Sequence, residues 1–161
     1  MNKHAIKKRI RLKNFTYVGQ YRYFVTMCTD KTVGQCFNIA NKQVVEKLVE
    51  ILKLISSQYN FKVWVYCFMP DHLHLLVEGE KPTSDFKKFI SLFKQVSGFY
   101  YSKTFGKRLW QINYYEHILR KEEVTEGIAR YILENPIRKR LVEDFKEYPF
   151  LGSFVFDIKT L

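Results

Sequence analysis

With 161 residues, 47% of them hydrophobic and 17% aromatic, the chain is long enough to bury one core and too short to demand a second, so a single domain over residues 1–161 is expected. Lys and Arg number 27 against 16 Asp and Glu, and the net charge of +11 favours polyanionic partners, nucleic acid first, with the aromatic side chains offering surfaces for unstacked bases. Cys28, Cys36 and Cys67 are odd in number and form no C-x-x-C pair, and no stretch reaches transmembrane length or follows a secretory pattern; a disulfide framework, a thiolate zinc site and a membrane span are excluded, and a reducing cytoplasm is expected.

The chain opens on a basic arm over residues 1–14 carrying Lys3, Lys7, Lys8, Arg9, Arg11 and Lys13, read as a phosphate-seeking tail. Tyr21 to Thr29, rich in Tyr, Phe, Val and Thr, predicts a first strand. From Asn41 to Gln58, Val44, Leu48, Ile51, Leu52 and Ile55 recur at helical spacing opposite a charged side, which predicts a helix packed on a sheet. Phe61 to Met69 reads as a strand alternating Val63, Val65 and Cys67 against Trp64, Tyr66 and Phe68. Pro70-Asp71 supplies a turn, and His72 to about Glu78 returns as the second arm of a hairpin.

Thr83-Ser84-Asp85 offers caps for a second helix, whose apolar stripe is read as Phe86, Phe89, Ile90, Phe93, Val96 and Tyr100. Lys87, Lys88 and Lys94 lie off that stripe and, with Arg108 beyond Gly106, are candidate DNA contacts. Trp110 to Arg120 predicts a loop and a short strand. A third helix is expected from about Glu122 to Asn135, with Pro136 interrupting it and starting a short helix. Strand, helix, strand, strand, helix, strand, helix is the order of an α+β sandwich with helices on a mainly antiparallel sheet.

The chemistry-bearing residues centre on His72-Leu73-His74. On a strand, positions two apart share a face, so both imidazoles can reach one metal; on a helix they would diverge by roughly 200°. Leu75, Leu76 and Val77 beside them favour the neutral, ligating form of the ring. Two histidines need an oxygen ligand to complete a site, and the third helix offers Asn135 and Glu134. Tyr131, four residues before Asn135, projects from nearly the same helical face. A divalent ion, Mg²⁺ or Mn²⁺, would neutralise charge on a phosphate, and the phenol, deprotonated with help from the metal or its water, could attack it to leave a covalent phosphotyrosine. Tyr100, Tyr101, Tyr114 and Tyr115 compete for that role on spacing alone.

Several fragments together resemble one family. They are Tyr23-Phe24-Val25-Thr26, the run Phe68-Met69-Pro70-Asp71-His72-Leu73-His74-Leu75-Leu76-Val77, Trp110-Gln111 with Tyr114-Tyr115-Glu116-His117, Tyr131-Ile132-Leu133-Glu134-Asn135-Pro136-Ile137 with Leu141-Val142, and Tyr148-Pro149-Phe150. In these the chain is similar to the single-tyrosine HUH transposases of insertion-sequence type, most like the REP-associated tyrosine transposase branch. The resemblance implies a ferredoxin-like sandwich and cleavage of single-stranded DNA at or near a hairpin, leaving a 5′-phosphotyrosine on Tyr131 and a free 3′-hydroxyl. It implies a divalent ion on His72, His74 and Asn135, and a monomer or homodimer. The insertion-sequence branch carries glutamine where Asn135 stands, one methylene longer, which makes Glu134 the substitute ligand. Two other readings fit the same residues: a non-cleaving protein, derived from a transposase, that binds structured single strands, and a hydrolase in which the histidines activate water.

Overall fold

The computed structural model describes residues 12, 14–120 and 123–161. The six cations of the basic arm and the expected helix start at Glu122 lie outside the described residues. The elements are β1 (Arg22–Cys28), α1 (Lys42–Gln58), β2 (Phe61–Met69), β3 (His72–Gly79), α2 (Phe86–Phe105), β4 (Tyr115–Ile118), α3 (Thr125–Leu133), α4 (Asn135–Arg138) and β5 (Leu151–Gly152). Among the described residues the strands form one sheet in the order β4-β1-β3-β2-β5, every neighbouring pair antiparallel. The first four strands and α1 and α2 make two interleaved split β-α-β units, which is the expected ferredoxin-like sandwich.

Strand alternation decides which residues look where. Tyr23, Val25 and Met27 of β1 and Leu73, Leu75 and Val77 of β3 are paired across the ladder and fully buried. Paired residues share a face, and this one lies under the helices: Tyr23 stacks on Phe86 of α2 at 3.9 Å and Phe61 on Phe89 at 4.6 Å. The opposite face carries Phe24, Thr26 and Cys28 of β1 with Leu76, His74 and His72 of β3, and α3 crosses it over β2 and β3.

The expected alternation of β2 fails midway. Val63 pairs with Val77, but Val65 pairs with Leu76 and Cys67 with His74, because a bulge between Val63 and Val65 moves the rest of the strand to the other face. Val65 and Cys67 therefore lie on the histidine side. The stripe of α2 also departs from expectation. Val96 is exposed and Tyr100 only half-buried, whereas Ser97 and Tyr101 are buried. Ser97 fits there because its hydroxyl donates to the Phe93 carbonyl and accepts from the Trp110 indole at 2.8 Å. Asp85 caps the helix through Lys88 N, and Gly106 ends it with φ 67°.

The third helix stops at Leu133, not Asn135. Glu134 closes it, and Asn135-Pro136 open α4. Tyr148-Pro149-Phe150 ties the last segment to β2: the Tyr148 hydroxyl donates to the Phe68 carbonyl at 2.7 Å, Phe68 N donates to the Phe150 carbonyl, and β5 follows. Among the described residues no helix is long and apolar enough to cross a membrane.

Candidate active site

β3 brings His72 and His74 to one face at the end of the sheet, where a two-residue turn at Pro70-Asp71 reverses the chain. The turn is fastened from β1. Thr29 N and Thr29 Oγ1 both donate to the Asp71 carbonyl, and Gln111 donates to the Thr29 carbonyl through its side chain and to the Cys28 carbonyl through its backbone. Trp110-Gln111 thus acts as a brace behind the histidine turn.

The two rings converge through Nε2, 3.1 Å apart, while their Nδ1 atoms point away to other partners. His72 Nδ1 meets Asp71 Oδ1 at 2.7 Å and His74 Nδ1 meets Thr26 Oγ1 at 2.9 Å. Two nitrogens each bound at about 2.1 Å to one ion at a right angle stand about 3 Å apart, so this spacing suits a shared divalent cation. Partners on the far nitrogens set tautomer and ring orientation, the usual second layer of a metal site. Burial first, then the positive charges of His72 and Arg138, hold the His74 pKa down to about 3, opposed by Asp71, which keeps the imidazole neutral. The Asp71 carboxyl is shifted down by its hydrogen bond from His72.

Among the described residues no third His, Cys, Asp or Glu joins the pair in a group that could hold a metal. Glu134 instead pairs with Arg138 at 3.9 Å and lines a cleft of about 630 Å³ on the flank of α3, beside Arg22, Trp64, Leu133, Phe145 and Phe156. Asn135 is buried, at the start of α4.

Tyr131 comes to the histidines from α3, its ring centroid 6.4 Å from that of His74. Phe24 makes a common platform, 5.4 Å from His74, 6.0 Å from Tyr131 and 6.3 Å from Tyr115. The tyrosine is half exposed and so open to a substrate. Of its competitors, Tyr115 shares this face, paired with Thr26, whereas Tyr101 is buried from α2 on the other side of the sheet.

Arg138 was not singled out by sequence reasoning. Its guanidinium carbon lies 4.1 Å from the Tyr131 ring centroid, and it donates to the Tyr131 carbonyl. The only hint in the sequence is its place seven residues, about two helical turns, after the tyrosine. From sequence, Asp71 belongs to the turn and Thr26 to the first strand; their places beside the histidines emerge only from the fold, Thr26 through its register with His74 and Asp71 through the turn that sets its carboxylate on His72 Nδ1. The four cations expected to meet DNA are dispersed. Lys87 and Lys88 sit at the start of α2, on the helix-covered face; the Lys87 ammonium rests over the Tyr17 ring at 4.7 Å and Lys88 pairs with Asp85. Lys94 donates to the carbonyls of Gln111 and Ile112 and is pushed down to about 8 by burial and by Arg108, so it tethers the brace loop. Arg108 is exposed next to Leu109, whose carbonyl accepts from Asp30 N, near the histidine end.

Comparison with known proteins follows the same geometry. The family model described as IS200-like transposase matches residues 17–135, a span that includes the histidines, Tyr131 and Asn135. A protein of Haemophilus influenzae assigned as a REP-associated tyrosine transposase is 25% identical over 159 residues, covering 92% of this chain and 86% of that protein. The solved structure of a REP-associated tyrosine transposase bound to a REP hairpin superposes with a TM-score of 0.71 at 19% identity, covering 89% of this chain and 81% of the other. A transposase-like protein of Deinococcus radiodurans, known from its crystal structure, gives 0.52 at 24% identity, over 78% of this chain and 95% of the other.

Proposed function

The chain belongs to the IS200-like transposase family, a family of DNA nicking and joining enzymes, and we propose that it cuts single-stranded DNA beside a hairpin through Tyr131, with a divalent ion held by His72, His74 and Asn135. The observation that carries this reading is the convergence of the two Nε2 atoms 3.1 Å apart beneath a half-exposed tyrosine brought by α3. The hairpin is proposed because a structural neighbour was solved bound to one.

In the proposed reaction the Tyr131 oxygen bonds to phosphorus, the phosphorus–O3′ bond breaks, the phenolic proton passes to solvent and the departing 3′-oxygen takes one up. A bound Mg²⁺ or Mn²⁺ would supply neutralisation of charge on the scissile phosphate. The chain's own part is to hold the His74 imidazole neutral through burial, to orient the two rings through Asp71 and Thr26, and to present the phenol across the Phe24 platform. The phosphotyrosine keeps the energy of the broken phosphodiester, so a second end can be joined without ATP.

The test is a denaturing gel of 3′-labelled hairpin DNA with flanking single strands, incubated with the protein. A slow-migrating adduct is expected with Mn²⁺ or Mg²⁺, absent with EDTA and in His72→Ala and His74→Ala, both of which still bind the hairpin. Binding without cleavage under all conditions would favour the non-cleaving reading, and multiple turnover without an adduct would favour a hydrolase.

A further inference from the structure

Resting on Tyr131 as nucleophile, we infer that Arg138 is the positioning residue of the reaction, holding the phenol ring in its attacking orientation and placing positive charge over it. Three contacts converge on this one side chain. Its guanidinium carbon lies 4.1 Å from the Tyr131 ring centroid, it donates to the Tyr131 backbone carbonyl, and it pairs with Glu134 at 3.9 Å. Phe24 meets the ring edge-on at 6.0 Å with planes at 86°, so the tyrosine is bounded by an aromatic platform and a cation.

The topology gives this clasp its purpose. Tyr131 lies in the last turn of α3, two residues from the end of the helix, where backbone carbonyls lose their helical partners. Half exposed, its side chain is confined by little else among the described contacts. The break at Glu134 and the short α4 return Arg138 over the same turn, so one residue fixes both the backbone and the ring of the nucleophile. As the phenol gives up its proton, negative charge spreads from oxygen into the ring. A guanidinium on the ring face stabilises that state more than the neutral phenol. Glu134 and the Tyr131 carbonyl hold the guanidinium itself, so it need not reorganise when charge develops.

An arginine that merely capped α3 would make the same backbone contact, and the two roles separate by charge. Arg138→Gln keeps an N–H donor for the Tyr131 carbonyl and removes the cation; Arg138→Lys keeps the cation. Single-turnover adduct formation is measured on saturating hairpin DNA with Mn²⁺, normalised to the folded fraction from circular dichroism, with DNA affinity read separately. Arg138→Gln is expected to slow adduct formation by about tenfold or more, with saturation reached at a similar DNA concentration, and Arg138→Lys to recover most of the rate. A glutamine variant at the wild-type rate, or a lysine variant as slow as glutamine, overturns the inference. If Arg138→Gln does not fold, Arg138→Met takes its place as the neutral side chain. Absence of an adduct in the unaltered protein would instead refute the nucleophile reading on which this rests.

Discussion

Nδ1 of His74 is the atom on which the orientation of the proposed metal site turns. Thr26 Oγ1 engages it at 2.9 Å from the neighbouring strand, leaving Nε2 to face His72. Thr26→Val keeps the side chain's shape and removes this partner. Loss of an outer-layer partner typically weakens a metal site about 10–100-fold, so the Mn²⁺ concentration for half-maximal cleavage is expected to rise by about tenfold or more. An unchanged metal requirement would show that ring orientation comes from packing alone. That the two histidines share a face was legible from their spacing on a strand, although His-x-His alone fits structural histidines as well and becomes specific only together with the other fragments. Thr26 was not: its partner lies 48 residues away, and only the pairing of Thr26 with His74 reveals it.

At the scale of elements, the order of strands and helices followed from periodicity and turn chemistry, since Pro70-Asp71, Asp85 and Gly106 each act locally. Where tertiary contacts decide, the local pattern misled. The bulge in β2 splits the residues that simple alternation puts on one face, and Ser97 takes a place in α2 that hydrophobicity assigns to Val96. The reason for Ser97 is the indole of Trp110, distant by 13 residues, whose N–H would otherwise be buried unpaired. Ser97→Ala should therefore cost about 1–3 kcal/mol, the penalty of an unsatisfied buried donor. Thermal and urea unfolding measure it, and a loss well under that range would mean the indole finds another acceptor. The end of α3 is set locally instead: the helix stops at Leu133 with Glu134 as its cap, and Asn135-Pro136 already open α4, two residues short of the expected end at Asn135.

For the whole molecule, the division of the sheet into two faces organises everything else. α1 and α2 bury one face, while α3 brings Tyr131 to the side that carries His72 and His74, and Arg138 of α4 packs on the Tyr131 ring. That meeting of residues some sixty positions apart is what the sequence fragments could suggest only through family resemblance. The net charge of +11 acts at this scale too. Hairpin affinity is expected to fall by about tenfold or more between 50 and 200 mM salt, as phosphate contacts release counterions with a slope of about −0.7 each on single strands. His72→Ala should leave that slope unchanged; a flat salt dependence would argue that bases, not phosphates, dominate binding.

The claim that unites these scales is that Tyr131 is the atom source of the covalent bond. Mass spectrometry of the proteolysed adduct, formed on hairpin DNA with Mn²⁺, tests it directly. Nucleotide mass is expected on the peptide containing Tyr131, with no adduct from Tyr131→Phe. Nucleotide on Tyr115 or another tyrosine, or an adduct that persists in Tyr131→Phe, would contradict it.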